Sequence, residues 1–150
     1  MFEQLGVATE YVSDGVILTS TRNFTKKFKY DFVNQPDMAQ TFAVTCCLNN
    51  IPFHFKGVQS LKIKETDRVA ALINELKKLG YILFEPRESE LAWGGEKCEP
   101  LSEISIKTYE DHRMAMAFAP AALITPICIE EPQVVTKSYP SFWSDFDKIE

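Results

Sequence analysis

Pro36-Asp37-Met38-Ala39 opens an apolar run through Leu48, and Asp111-His112-Arg113-Met114-Ala115 opens another through Ile124, with Asp37 and Asp111 74 positions apart. Leu5-Gly6 and Leu79-Gly80 stand at the same offset, and Lys64 and Lys137 are 73 apart. One such match is easy to obtain by chance. Three at nearly one offset indicate about two copies of one unit.

Within a copy, residues 28–32 read as a strand and 36–49 as a helix with Pro36 in its first turn, where a missing N–H costs nothing. Residues 53–55 read as a strand and 66–79 as a helix, with Val69, Leu72, Ile73, Leu76 and Leu79 on one face and Gly80 as its stop. Residues 81–85 and 90–93 form a hairpin, completing βαβαββ. The second copy supplies 104–107, 111–124, 127–130 and 140–149 without closing strands. Ahead of both lie a helix tail at Leu5-Gly6 and a hairpin, 9–12 with 16–19, around Ser13-Asp14-Gly15. The expected fold class is α/β (α+β), with a partial unit at about 1–22, a full unit at about 27–95 and an incomplete one at about 103–150. A chain that starts and stops within units reads as a piece of a longer protein. The helices at 36–49 and 111–124 are apolar nearly all round and should be packed on every side. The 66–79 helix has a polar face of Asn74, Glu75, Lys77 and Lys78. That contrast places helices inside and sheets outside, and Pro120 should bend the 111–124 helix.

The 150 residues are 45% hydrophobic and 25% charged, which excludes wholesale disorder. Sixteen Lys and Arg against 21 Asp and Glu give a net charge of -5, which argues against a general nucleic-acid binder. No apolar run approaches the roughly 20 residues of a membrane helix, and the N-terminus lacks a signal-peptide layout, so a cytoplasmic chain is expected. Cys46, Cys47, Cys98 and Cys128 show no ligand spacing, and His54 and His112 have no partner at metal spacing. Cys46 and Cys47 read as small buried hydrophobes. No metal site and no cofactor are expected, since phosphate-binding glycine loops are also missing.

The charged segment Lys62-Ile63-Lys64-Glu65-Thr66-Asp67-Arg68 leads into the amphipathic helix. Thr66 or Asp67 can cap it. Cations at a helix N-terminus oppose the macrodipole and cost some tenths of a kcal/mol each unless an anion is near. His112 and Arg113 repeat the anomaly after Asp111, and Lys137 precedes the segment beginning near Pro140. Equivalent helix ends of a repeat lie at one end of the molecule, so Lys64, Arg68, Arg113 and Lys137 should line one surface. Four cations suit a ligand of about three negative charges, such as one with both phosphate and carboxylate. Asp31 and Glu65 would lie beside them as candidates for proton transfer. Lys26-Lys27 and Glu130-Glu131 read as solvated faces.

Lys64-Glu65-Thr66-Asp67-Arg68, Asp111 to Met116, Asp31 to Asp37 and Lys137-Ser138-Tyr139-Pro140 stand in the order found in the 5-enolpyruvylshikimate-3-phosphate synthase (3-phosphoshikimate 1-carboxyvinyltransferase) family, which the chain resembles from about Phe2 onward. The resemblance implies βαβαββ units in inside-out α/β barrels, with this chain the C-terminal part of one domain. It implies transfer of the enolpyruvyl group of phosphoenolpyruvate to the 5-hydroxyl of shikimate 3-phosphate, with release of phosphate, in aromatic amino-acid biosynthesis. Its partners would be those two small molecules and the N-terminal portion of the same protein, with no nucleic acid or membrane. By the same resemblance Glu65 protonates the methylene carbon and Asp31 takes the hydroxyl proton while holding shikimate. Lys64, Arg68, Arg113 and Lys137 would bind phosphoenolpyruvate, Lys64 also reaching the shikimate hydroxyls, and His112 would orient Arg113. Ser60 stands where the family often has an Asn on the shikimate phosphate. Alone, the chain should fold yet be inert. The competing readings are an enolpyruvyl transferase acting on a UDP-sugar and a non-catalytic anion-binding module, and the latter would gain nothing from Asp31 and Glu65.

Overall fold

A computed structural model describes residues 1–64 and 66–149. Along the chain run β1 (Leu5–Val12), β2 (Gly15–Phe24), β3 (Phe28–Asp31), α1 (Ala39–Leu48), β4 (Phe53–Lys56), α2 (Arg68–Lys78), β5 (Leu91–Trp93), β6 (Ser105–Ile106), α3 (His112–Phe118), β7 (Cys128–Ile129) and α4 (Phe142–Phe146). The repeat is visible in the topology. β3 and β4 pair in parallel across α1, with Phe28 opposite Phe53 and Asp31 opposite Lys56. β6 and β7 pair in parallel across α3, with Ser105 opposite Cys128. Parallel neighbours need such a crossover, so each half is a βαβ unit. β5 adds antiparallel to β4, placing Trp93 opposite Phe53.

α1 and α3 pack against each other. α1 buries Ala39, Gln40, Phe42, Ala43, Val44, Cys46 and Cys47, which is why its sequence shows almost no amphipathic stripe. Burial pushes the Cys46 thiol up to about 12, and that of Cys47 rises for the same reason, so both are inert at neutral pH. Behind α1 the strands carry an aromatic layer. The Phe28 ring stacks on Phe42 at 5.3 Å between centroids, Phe32 meets Phe55 edge-on at 4.8 Å, and Phe53 stacks on Phe55 at 4.2 Å.

Several boundaries differ from the sequence expectation. The helix at 36–49 begins as a 3-10 turn, Pro36–Met38, because Pro36 allows a tight first turn without losing a bond. The one at 66–79 starts only at Arg68, because the Asp67 carboxylate accepts from the Val69 and Ala70 N–H groups and so makes Asp67 the cap. It ends at Gly80, whose φ of +93° and N–H to Lys77 O close the last turn. The helix at 111–124 is α only to Phe118 and turns 3-10 over Ala119–Leu123, where Pro120 cannot donate. The one at 140–149 keeps five α residues, Phe142–Phe146. The 81–85 and 90–93 hairpin contracts to one bridge, Phe84 with Ala92, leaving β5 as its regular part. At the N-terminus there is a 3-10 turn, Phe2–Gln4, in place of a helix tail, and the hairpin is much longer than expected.

Glu75 departs most from expectation. Helical periodicity puts it on a polar face, but it is 1% exposed. Its carboxylate accepts from the Lys107 N–H at 3.0 Å and the Tyr109 hydroxyl at 2.8 Å, with Lys78 Nζ at 2.6 Å. The face carrying Glu75 is covered by β6 and the turn after it, and a buried carboxylate persists only with partners of this kind. Tyr109 and Glu110 both have positive φ, 55° and 58°. Each such non-glycine residue costs of order 1–3 kcal/mol and persists only where its surroundings hold it there.

The aromatic layer makes a direct prediction. Phe42 is 0% exposed, with rings of Phe2, Phe28 and Phe32 around it. Phe42→Ala should lower stability by about 3–5 kcal/mol. A shift of the urea midpoint measures this, and an unchanged midpoint would place the core elsewhere.

Candidate functional site

Three helix starts meet at one end of the molecule. Asp37 lies in the turn before α1, Arg68 is the first residue of α2, and Asp111 caps α3. Arg68 joins them: its Nη1 donates to Asp37 Oδ1 at 2.8 Å and its Nε to Asp111 Oδ2 at 2.5 Å. The other Asp111 oxygen accepts from the Arg113 N–H at 2.8 Å, so Asp111 is both cap and counter-ion. Lys64 Nζ stands 3.6 Å from Asp37 Oδ1 and Arg113 Nη2 3.2 Å from Asp37 Oδ2. One carboxylate thus gathers three of the four cations singled out from sequence.

The fourth, Lys137, ends a 3-10 segment, Pro132–Lys137, that packs on α3. Its Nζ donates to the Glu110 carbonyl at 3.3 Å, immediately before the Asp111 cap. A shallow depression of about 340 Å³ opens there between Glu110, Glu131, Gln133 and Lys137. His112 lies 3.9 Å from Asp111 through its Nδ1.

Arg68 corrects the expectation that four cations line one surface. Its side chain is 2% exposed, whereas those of Lys64, Asp37 and Arg113 are each 36% exposed. Arg68 lies beneath the other three. The anion that relieves its clash with the α2 dipole is supplied by the protein itself, as Asp37 and Asp111. Asp37 and Asp111 offset part of the charge of Lys64, Arg68 and Arg113, so the cluster is less cationic than the cations alone suggest.

Asp31 ends β3, exposed, with its Oδ1 accepting from the Val33 N–H at 3.0 Å. Gly57, following β4, has φ +70°, and a Cβ there would strike Asp31 Oδ1 and the Val33 backbone. Glycine is therefore what lets β4 pass the Asp31 carboxylate. Ser60 and Lys64 belong to the same connection, Ser60 inside a 3-10 turn, Gln59–Ile63, and Lys64 at its end. That turn packs on Pro36–Met38, which brings Lys64 to Asp37. Glu65, expected to be the acid, lies outside the described residues. Among the described residues no group of three or more His, Cys, Asp and Glu side chains could hold a metal ion, and no helix is long and apolar enough to cross a membrane.

Sequence reasoning overlooked Asp37 and Asp111 as members of the cluster, treating both as ordinary helix-start residues. The available signal was the coincidence of an acid at each of those helix starts with an arginine at the third.

Two βαβ halves, with cations held by carboxylates at their helix starts, define an α/β protein of repeated units. A family profile described as EPSP synthase (3-phosphoshikimate 1-carboxyvinyltransferase) matches residues 1–146, and the chain belongs to that family. The 3-phosphoshikimate 1-carboxyvinyltransferase of Bacteroides fragilis (strain YCH46) is 58% identical over 149 residues, which are 99% of this chain and 36% of that protein. The one from Syntrophobacter fumaroxidans is 33% identical over 150 residues, 99% of this chain and 35% of its own length. Among solved structures, EPSP synthase from Acinetobacter baumannii superposes with a TM-score of 0.63 at 23% identity, covering 94% of this chain and 36% of that one. The chain therefore spans about a third of the length of its curated relatives. The expected fold class, α/β repeat units that the resemblance places in an inside-out barrel, is the fold found.

Asp37 yields a pH prediction. Burial raises its carboxyl pKa, but Arg113, Lys64 and Arg68 together outweigh burial and hold it below the ordinary 3.8. A depressed carboxylate contributes stability that is present above its unfolded pKa and lost as pH falls through the folded value. Carboxyl-carbon NMR should show Asp37 titrating below pH 3.8. In Arg113→Ala that midpoint should move upward, and an unmoved midpoint would mean the pair at 3.2 Å carries no charge coupling.

Proposed function

We propose that the chain is the phosphoenolpyruvate-handling part of a 3-phosphoshikimate 1-carboxyvinyltransferase. It would transfer the enolpyruvyl group to the 5-hydroxyl of shikimate 3-phosphate and release phosphate. The observation that carries this reading is the cluster of Lys64, Arg68 and Arg113 around Asp37, in a chain of the EPSP synthase family. Phosphoenolpyruvate carries a phosphate and a carboxylate, and the partly exposed Lys64 and Arg113, with Lys137 nearby, are cations of the right kind to hold them. Asp37 keeps these side chains gathered before the ligand arrives, which lowers the reorganisation needed on binding.

The reaction needs a proton on the methylene carbon, which makes the neighbouring carbon cation-like, and a base to take the hydroxyl proton as its oxygen attacks. Glu65 is the proposed acid and Asp31 the proposed base. The resulting intermediate loses phosphate and one methyl proton, restoring the double bond, so protons balance over the cycle. Asp31 is suited to its part because an exposed carboxylate fixed by the Val33 N–H and the Gly57 approach has one defined direction. Lys64 would touch both substrates, Arg68 would act from beneath by fixing Asp37, His112 would orient Arg113, and Ser60 would face the shikimate phosphate.

The relatives' length supports a further part of the proposal, that this chain is a portion of a longer protein; its place as the C-terminal part of one domain and a cytoplasmic location are proposed with it from the resemblance. The proposed division is a partial unit at about 1–22, a full one at 27–95 and an incomplete one at 103–150. The β1–β2 hairpin leaves Tyr11, Val16, Ile17 and Leu18 between 49% and 82% exposed, an apolar strip suited to cover by the remainder of the protein.

Phosphate release from phosphoenolpyruvate plus shikimate 3-phosphate tests the reading in the full-length protein. Glu65→Gln should lower turnover about 10²–10⁴-fold with little change in phosphoenolpyruvate binding, because the clamp survives while the donor is lost. Arg113→Ala should mainly weaken phosphoenolpyruvate binding. Normal turnover of the Gln variant would remove Glu65 from the mechanism, and no turnover of the unaltered protein would overturn the assignment.

A further inference from the structure

The turn that delivers Arg113 is held by residues none of the proposed chemistry uses. Tyr109 and Glu110 are consecutive non-glycine residues with φ of 55° and 58°, a conformation that does not persist without restraint. The restraint comes from α2. Glu75, in its third turn, accepts from the Lys107 N–H at 3.0 Å and the Tyr109 hydroxyl at 2.8 Å, so it grips the turn through backbone and side chain together. Lys78 Nζ, 2.6 Å from Glu75, also donates to Ser105 O at 2.7 Å, and Lys107 Nζ lies 5.3 Å over the Tyr109 ring. Immediately beyond, the Asp111 N–H donates to Thr108 O at 3.0 Å, Asp111 takes Arg68, and the Glu110 carbonyl takes Lys137.

We propose that Glu75 and Tyr109 are positioning residues that hold the left-handed turn at 109–110, and through it set where Arg113 and Lys137 present their charges to the phosphoenolpyruvate anion. The proposal deepens the functional reading above and rests on it for the identity of the anion. Two features separate it from plain core packing. Glu75 stands on the helix whose first residue, Arg68, binds the Asp111 cap, so α2 grips the 107–111 segment at both ends. The group that closes the clamp is a single hydroxyl, whose removal leaves the Tyr109 ring in place.

The test uses the full-length protein with Tyr109→Phe, Glu75→Gln and Glu75→Ala. Tyr109→Phe should raise KM for phosphoenolpyruvate about 3–10-fold with kcat within about twofold and KM for shikimate 3-phosphate unchanged. Glu75→Gln keeps an acceptor oxygen and should stay near the unaltered protein, whereas Glu75→Ala should match or exceed Tyr109→Phe. Adding Tyr109→Phe to Glu75→Ala should then change little, since both cut the same link. Amide exchange gives a readout independent of activity: Tyr109→Phe should speed exchange at residues 109–113 with α1 unaffected. An unchanged phosphoenolpyruvate KM, or an equal rise for both substrates, would overturn the positioning role. Unaltered exchange at 109–113 would overturn the clamp itself, even for a protein whose substrates proved to be different ones.

Discussion

A guanidinium buried to 1% exposure has to be met by carboxylates, and the meeting of Arg68 with Asp37 and Asp111 organises this molecule. The three residues belong to the starts of three helices from both copies of the repeat. Satisfying one charge therefore fixes α1, α2 and α3 at a common end. Removing either acid would leave a buried, partly uncompensated cation, which costs several kcal/mol, far more than an exposed pair is worth. The partly exposed members of the cluster, Lys64 and Arg113, are then placed by a carboxylate that is itself already held.

That arrangement reconciles stability with the proposed anion site. Cations crowded together repel, and each at a helix start also opposes the dipole. Interleaving them with Asp37 and Asp111 lets the chain fold with the cluster assembled. The Asp37 pKa, depressed despite the upward push of burial, is the electrostatic signature of this surplus of cations around one acid.

Spacing made much of this legible. The 74-residue offset revealed two copies because each βαβ half must reuse the same apolar helix between its parallel strands, and Pro36, Gly80 and Pro120 marked real boundaries. Asp37 and Asp111 were visible as helix-start residues, but their union on Arg68 spans 31 and 43 positions, and no local pattern encodes a contact at that range. The same holds for Glu75. Helical periodicity put it beside Asn74 and Lys78, and periodicity reports which side of a helix a residue occupies, not what the rest of the chain lays over that side.

Glu75 also shows why the second copy is not a mere duplicate of the first. In the first copy the approach to α1 passes from Asp31 through Pro36, whose fixed φ shapes the turn without outside help. The approach to α3 has no proline or glycine at the equivalent bend, and instead places Tyr109 and Glu110 at positive φ. The strain is balanced by a buried carboxylate reached through a hydroxyl and an amide. The first approach ends on an exposed acid, Asp31, whose Oδ1 accepts from the Val33 N–H, whereas the second ties Asp111 to Arg68 and the Glu110 carbonyl to Lys137. One repeated framework thereby yields two different ends: the exposed carboxylate of the proposed proton transfer, and the proposed mount for the cations.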